Sequence, residues 1–333
     1  MFKADLCKLC GDCLVKCQWM TADKAQAVEW MKDMRAGRQT PVLQQCITCF
    51  ACNEYCQQGA NPFDLIAQLQ EKYDVFASKE AARLQEAAYA FTKPLTNYPQ
   101  ADTVMTACVF EKTHPHLMQG QLFDLPRASG KPYFCWMLFG HWGIESIQKD
   151  HAREMVDRLA LTGAGEIVCF HDDCYAMLAT LAPGYGIEVP FRPVHLSEYL
   201  VKRLREDRHR IKPLNIDIAY QRPCASRYTP EKEHFLDELF ELAGVRRVSR
   251  EYDRENALCC ASIKLLLGNG DPRPDQEKNI LDARRNGARA MVCLCPGCMD
   301  NMAAVAGELD LPLVFLGDIA RMALGEIELP ALE

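Results

Sequence analysis

The feature that most constrains this chain is a four-cysteine pattern that occurs twice in its first 56 residues. The spacing C-x2-C-x2-C-x3-C is formed by Cys7, Cys10, Cys13 and Cys17, and again by Cys46, Cys49, Cys52 and Cys56. Such spacing directs three thiolates of a tight loop to one cube of iron and sulfide, and the fourth thiolate to a second cube. The sequence therefore predicts two 4Fe-4S clusters with crossed ligands. One is held by Cys7, Cys10, Cys13 and Cys56, and the other by Cys46, Cys49, Cys52 and Cys17.

Disulfides and zinc are the other uses of clustered cysteines. The chain has 18 cysteines in 333 residues, but its first cysteine is at position 7, which leaves no room for a signal peptide. We therefore expect a cytoplasmic protein, and disulfides do not persist in a reducing cytosol. A structural zinc site needs four ligands in two pairs, whereas two identical four-cysteine runs occur here.

Charge and hydropathy exclude several other classes. The net charge is −7 and no Lys/Arg-rich run is present, so we do not expect a nucleic-acid partner. The apolar stretches are shorter than the roughly 20 residues that cross a bilayer, so no transmembrane segment is expected. Neither a Gly-x-Gly-x-x-Gly nor a Walker pattern occurs, so the chain is not expected to bind flavin, NAD or ATP.

Residues 1–95 have the periodicity of helices. Thr21–Arg35 is predicted as a helix with Thr21 as its N-cap, Asn61-Pro62 opens a second, and Ser78–Phe91 forms a third. The segment is thus predicted to be an all-helical ferredoxin-like module with two clusters. It differs from the bacterial ferredoxin pattern because Gln18 and Gln57, instead of proline, follow the fourth cysteines.

After Pro99 short apolar segments alternate with amphipathic ones, which predicts α/β layers with a mostly parallel sheet and an α+β class overall. The predicted strands are Thr103–Ala107, Tyr133–Met137, Glu166–Phe170, Asn215–Tyr220, Ala290–Leu294 and Leu313–Leu316. The predicted helices are Glu145–Leu161, His195–Asp207, Pro230–Ala243 and Asp275–Gly287.

The region after residue 95 is an internal duplication. The segment Gly163–Cys174 aligns with Gly287–Cys298 at a shift of 124 residues. The same shift places Cys135 on Cys259, Trp136 on Cys260 and His171 on Cys295, and Cys108 corresponds to Cys224 after a length difference. We therefore predict a first copy at residues 96–212 and a second copy at residues 213–333.

The second copy resembles the cysteine-rich CCG domain of heterodisulfide reductase, also found in iron-sulfur subunits of glycolate oxidase and anaerobic glycerol-3-phosphate dehydrogenase. The resemblance rests on Cys224, Cys259-Cys260-Ala261 and Cys295-Pro-Gly-Cys298. It implies that Cys224, Cys259, Cys260, Cys295 and Cys298 hold a cubane or noncubane cluster, and that Cys259 and Cys260 are the catalytic residues if disulfides are cleaved. The usual glycine is replaced by Ala261, a mild change if φ there is negative.

The first copy is degenerate, because Trp136 and His171 stand where the second copy has cysteines. The residues Cys108, Cys135, Cys174 and His171 could bind zinc as a Cys3His site. A third ordinary cluster and a decayed site of packed cysteines are the alternatives. The aromatic run from Trp136 to Trp142 is interpreted either as core or as the lining of a quinone or substrate pocket.

The order of a two-cluster module and two CCG units implies a subunit of an anaerobic redox complex. In one interpretation the chain relays electrons between a flavoprotein dehydrogenase and a membrane quinone-reactive or thiol/disulfide partner. It would then be cytoplasmic or peripheral at the inner face of the membrane. In the second it is a catalytic disulfide reductase subunit, and the third alternative is a non-redox zinc scaffold.

Overall fold

The structure is a computed structural model that describes residues 1–328. Its N-terminal part is helical, and no strand lies within residues 1–102. Its helices are α1 (Asp12–Val15), α2 (Lys24–Arg35), α3 (Val42–Gln45), α4 (Ala51–Tyr55), α5 (Pro62–Lys72) and α6 (Lys79–Tyr89).

The N-cap of helix α2 lies two residues later than expected. The Asp23 carboxylate accepts a hydrogen bond from the Gln26 backbone N–H at 2.9 Å, and the Asp23 N–H donates to the Gln26 side chain at 3.2 Å. This reciprocal capping box fixes the helix start, so the predicted cap at Thr21 is wrong. Ser78 caps α6 by accepting from the Ala81 N–H at 3.2 Å.

Two four-stranded parallel sheets follow, and they have the same topology. The strand orders are β2-β1-β3-β4 and β6-β5-β7-β8. The strands are β1 (Thr103–Cys108), β2 (Arg127–Ser129), β3 (Glu166–Cys169), β4 (Arg192–His195), β5 (Ile216–Gln221), β6 (Val245–Arg247), β7 (Ala290–Cys293) and β8 (Leu313–Phe315). The predicted mixed class with parallel sheets is therefore confirmed.

Helices lie between the strands, as parallel pairing requires, and a last helix follows β8. They are α7 (Phe110–Thr113), α8 (Met137–His141), α9 (Glu145–Ala160), α10 (Asp172–Ala176), α11 (Ala182–Gly184), α12 (Leu196–Glu206), α13 (Glu233–Ala243), α14 (Ile263–Leu267), α15 (Arg273–Arg285), α16 (Pro296–Glu308) and α17 (Leu316–Ala323). Single turns of 3-10 helix lie at Pro115–Met118, Gln121–Phe123, Lys131–Tyr133, Arg208–Arg210, Cys224–Tyr228, Pro230–Lys232 and Arg254–Asn256, and a π-helical turn at Met177–Leu181.

The predicted strand Tyr133–Met137 is wrong. Tyr133 ends a 3-10 turn that contains Pro132, and Trp136 has a φ of 62°, so it is the left-handed residue that begins α8. A residue in that conformation cannot continue a strand, and proline cannot donate to a sheet. On the side of β1 away from β3, the pairing strand is the short β2, which the sequence does not signal because two of its three residues are polar.

The parts of the chain share their cores. One buried cluster joins the N-terminal helices to the first copy, and another joins the two copies, where the Phe170 and Phe315 ring centroids are 5.1 Å apart. The proposed division between the copies falls in the connection before β5. The boundaries at residues 95 and 212 stay predictions, and the chain end at residue 333 lies outside the described residues.

Candidate iron-sulfur sites

The two N-terminal cysteine loops have the same backbone shape. Leu9 and Thr48 occupy corresponding positions in the two motifs, with φ of 55° and 54°. Gly11 and Phe50 correspond in the same way, with φ of 75° and 62°. Positive φ is costly for residues with a side chain, so its recurrence indicates a loop shape that the thiols require. The duplicated spacing in the sequence therefore corresponds to a duplicated conformation.

The thiols gather in two cavities that draw on both loops. A cavity of about 430 Å³ is lined by the first N-terminal site, Cys7, Cys10, Cys13 and Cys56. A neighbouring cavity of about 400 Å³ is lined by the second N-terminal site, Cys17, Cys46, Cys49 and Cys52. Each site thus combines three cysteines of one motif with the last cysteine of the other, which is the grouping that the crossed assignment expects. The ligand roles themselves stay a prediction.

Burial makes these thiols suited to metal ions. Burial and the neighbouring Cys56 raise the pKa of Cys13 to about 12, and burial with the neighbouring Cys17 raises that of Cys49 to about 12. A buried thiolate is unfavourable without a positive partner, and iron supplies one. The backbone N–H of Thr48 also donates to Cys46 Sγ at 3.4 Å, and that of Ala60 to Cys56 Sγ at 3.4 Å. Four thiolates with N–H donors fit a 4Fe-4S cluster at each site.

Five cysteines of the second copy form what we call the second-copy site: Cys224, Cys259, Cys260, Cys295 and Cys298. Cys224 and Cys259 have their Sγ atoms 3.0 Å apart, and Cys260 Sγ is 3.2 Å from Ser262 Oγ. Cys295 is the N-cap of α16, and Cys298 lies in its first turn. The site therefore follows the carboxyl ends of β5 and β7, where parallel sheets collect ligands.

Ala261 has a φ of 57°, so the condition under which its replacement of glycine would be mild does not hold. An alanine in this conformation costs roughly 1–3 kcal/mol that glycine avoids. Its backbone N–H donates to Cys259 Sγ at 3.4 Å. The strained turn at Ala261 therefore provides a hydrogen-bond donor to Cys259 Sγ.

The same turn corrects the alignment of the two copies. Trp136 has a φ of 62°, and its carbonyl accepts from the Phe139 N–H, as the Ala261 carbonyl accepts from Lys264. Trp136 thus corresponds to Ala261, one residue away from the predicted match with Cys260. Cys135 then corresponds to Cys260, and no cysteine of the first copy corresponds to Cys259.

The first copy brings together three of its four predicted metal ligands. Cys108, Cys135 and Cys174 are buried, and their Sγ atoms all lie within 4.8 Å of one another. We call them the first-copy site. His171 is not part of this group, because its Nε2 is 3.1 Å from Cys295 Sγ in the second copy. Cys169 and Cys293 lie outside all four sites as buried residues at the ends of β3 and β7.

Three of the four sites are close to one another. Cys13 and Cys17 are both near enough to Cys52 to raise its pKa, after burial as the main cause. Cys224 likewise contributes, after burial, to the raised pKa of Cys49. Cys49 and Cys224 also pack against one buried cluster with Trp19. The first N-terminal, second N-terminal and second-copy sites therefore form a continuous series.

An open cavity of about 740 Å³ lies over the second-copy site. The first copy contributes Leu138, His141, His171 and Asp173 to its wall, and the second copy contributes Ile263 and Leu266 besides the five cysteines. Of the aromatic run, only His141 lines the cavity, because Trp136 and Phe139 are fully buried in the core. Sequence reasoning did not place Leu138, His171 or Asp173 at this cavity, because their proximity to the second-copy site depends on the packing of the copies.

A buried ionic group joins the N-terminal helices to the second copy. Glu54 in α4 accepts from Arg222 at 2.7 Å and also pairs with Arg227, and the two arginine side chains are 1% and 4% exposed. Arg227 further donates to the Ala257 carbonyl at 2.8 Å. Although burial opposes ionisation, Arg222 and Arg227 keep the pKa of Glu54 below its usual range. The group fixes the second N-terminal site beside Cys224.

A second buried group joins the two copies behind the first-copy site. Asp172 accepts from Lys232 Nζ at 2.7 Å and from Ser226 Oγ at 2.5 Å, and lies 3.0 Å from His195 Nε2. Although burial favours the neutral acid, Lys232 and His195 hold the pKa of Asp172 well below its usual range. The sequence signalled neither group, although Arg222 and Asp172 each stand two residues before a site cysteine.

Comparisons with known proteins agree with the cysteine pattern. The chain is 24% identical over 186 residues to one subunit of the dihydromethanophenazine:CoB–CoM heterodisulfide reductase of Methanosarcina mazei, covering 53% of this chain and 44% of that protein. The corresponding subunit of Methanosarcina acetivorans is 25% identical over 173 residues, covering 49% and 41%. The match thus spans less than half the length of each relative. No protein-family model matches the chain.

A hypothetical protein from Helicobacter pylori has a similar fold, with a TM-score of 0.60 and 13% identity. The similarity covers 83% of this chain and 61% of that one. The two Methanosarcina matches support, at the family level only, a heterodisulfide reductase-like iron-sulfur protein. Among residues 1–328, no helix is both long and apolar enough to cross a membrane.

Proposed function

We propose that the chain is the electron-relay subunit of an anaerobic redox complex. In this proposal the N-terminal sites hold two 4Fe-4S clusters, and the second-copy site holds a third cluster, cubane or noncubane. The first-copy site holds zinc or no metal. The observation that carries the proposal is the series of three sites linked by the Cys13/Cys52 and Cys49/Cys224 neighbours.

The proposal includes two classes of partner. No flavin or nucleotide motif occurs in the sequence, so a separate flavoprotein dehydrogenase would convert a two-electron donor into single electrons. The acceptor would be a quinone-reactive membrane subunit or a thiol/disulfide partner. We place the complex in the cytoplasm, or at the inner face of the membrane through such a subunit.

A disulfide reductase is the second candidate, and the open cavity favours it. The curated relatives carry the name of a heterodisulfide reductase, and Cys259 and Cys260 border a space that solutes can enter. In this alternative a disulfide is reduced directly at the second-copy cluster with two electrons supplied through the N-terminal clusters.

A dye assay separates the two candidates. The anaerobically prepared, cluster-loaded chain is given a reduced viologen and a panel of organic disulfides, and dye oxidation is recorded. The relay proposal predicts that disulfides do not accelerate dye oxidation, whereas a one-electron acceptor does. Disulfide-dependent oxidation that is lost in Cys259→Ser and Cys260→Ser, but kept in the control Cys293→Ala, would reject the relay in favour of the reductase.

A further inference from the structure

His171 is a residue of the first copy that touches a sulfur of the second-copy site. Its Nε2 lies 3.1 Å from Cys295 Sγ, and the two residues are 124 positions apart. That separation equals the shift between the two copies, so His171 and Cys295 are equivalent positions that meet at the interface. In this chain the duplication has placed a nitrogen where the other copy has a thiol.

The imidazole is held firmly in this position. His171 is 5% exposed, and its ring centroid is 4.8 Å from that of Phe110. On the other side of the ring, Nδ1 is 3.6 Å from Asp173 Oδ2. Asp173 and Phe110 flank the ring, and Nε2 is directed at Cys295 Sγ.

The chemistry of a bound cysteine decides the role of each partner. A cysteine that ligates iron is a thiolate, which has no proton to donate, so Nε2–H must be the donor of this contact. Hydrogen bonds to cluster sulfurs withdraw charge and favour the reduced cluster.

We propose that His171 donates a hydrogen bond to Cys295 and thereby raises the reduction potential of the second-copy cluster. The first copy then acts as the element that tunes the site of the second. This inference rests on the proposed function, because it requires a cluster bound by Cys295. It assigns His171 to the second-copy site, whereas the sequence analysis had named it as a possible zinc ligand of the first-copy site.

Redox titration of the full-length, cluster-loaded chain, followed by electron paramagnetic resonance, tests the proposal. His171→Leu removes the donor and should lower the midpoint potential of the second-copy cluster, while the N-terminal clusters keep theirs. His171→Gln retains an N–H and should restore most of the difference. His114→Leu is the matched control: it removes a 3.2 Å contact to Asp300 across the same interface but touches no cysteine, and should leave all potentials unchanged.

A second measurement needs no variant. In the wild-type chain labelled with 15N-histidine, the reduced second-copy cluster should show a weak 15N coupling of the size expected for a hydrogen bond. An unchanged potential in His171→Leu, a loss of zinc in that variant, or the absence of the coupling would overturn the proposal. Absence of any cluster signal from the second-copy site would instead overturn the proposed function, and this inference with it.

Discussion

The Cys56→Ser variant is expected to lose one cluster, which is about four irons per chain. The Cys17→Ser variant is expected to lose about four irons from the other N-terminal cluster. The reason is the crossed grouping, in which Cys56 shares a cavity with Cys7, Cys10 and Cys13. Cys17 shares the other cavity with Cys46, Cys49 and Cys52. Iron content and the resonance of the reduced chain give the readout, because loss of either cluster abolishes the magnetic interaction between the two.

Double variants distinguish crossed from uncrossed ligands. Cys10→Ser combined with Cys56→Ser should lose one cluster, whereas Cys10→Ser combined with Cys17→Ser should lose both. The reverse result would show that each motif binds its own cluster. Cys169→Ala, at a buried cysteine outside all four sites, is the control and should keep its full iron content.

Glu54→Ala is expected to destabilise the chain by about 3–5 kcal/mol, because it leaves buried arginine charge uncompensated. In this variant Arg227 loses its carboxylate partner. Arg222 keeps a second partner, because the Glu233 carboxylate lies 3.0 Å from Arg222 Nε. Denaturant unfolding of the cluster-loaded chain measures the change. The N-terminal helices should separate from the second copy first, because Glu54 is the carboxylate in α4 that both arginines contact.

Two further variants make this prediction specific. Arg227→Met added to Glu54→Ala should recover part of the loss, since it removes the charge that Glu54→Ala leaves unpaired. Asp217→Ala breaks an exposed pair with Arg246, whose side chain is 77% exposed, and should change stability much less than Glu54→Ala does. Equal effects of Glu54→Ala and Asp217→Ala would contradict the structural role of the buried group.

The sequence predicted the strands whose apolar runs are distinctive. Five of the six predicted strands correspond to β1, β3, β5, β7 and β8 within one residue at each end. The strands it missed, β2, β4 and β6, have three or four residues and include arginine. They are defined by pairing with a neighbour, which no local pattern records.

The cysteine spacing predicted which thiols gather, because the loops that hold them are local. The one-residue error at Trp136 arose because the alignment matched residue identity, whereas the element that the copies share is a turn with positive φ. His171 could not be placed from sequence for a different reason. The contact of His171 with Cys295 depends on how the two copies pack. Its position in the motif had instead assigned His171 to the first-copy site.

Anomalous diffraction from crystals of the anaerobically prepared chain, recorded above and below the iron and zinc edges, tests the central claim most directly. The relay account predicts iron at three places: the two N-terminal sites and the second-copy site at Cys259. It predicts zinc or no metal beside Cys174. Zinc at the N-terminal sites, no iron at Cys259, or iron beside Cys174 would contradict the account.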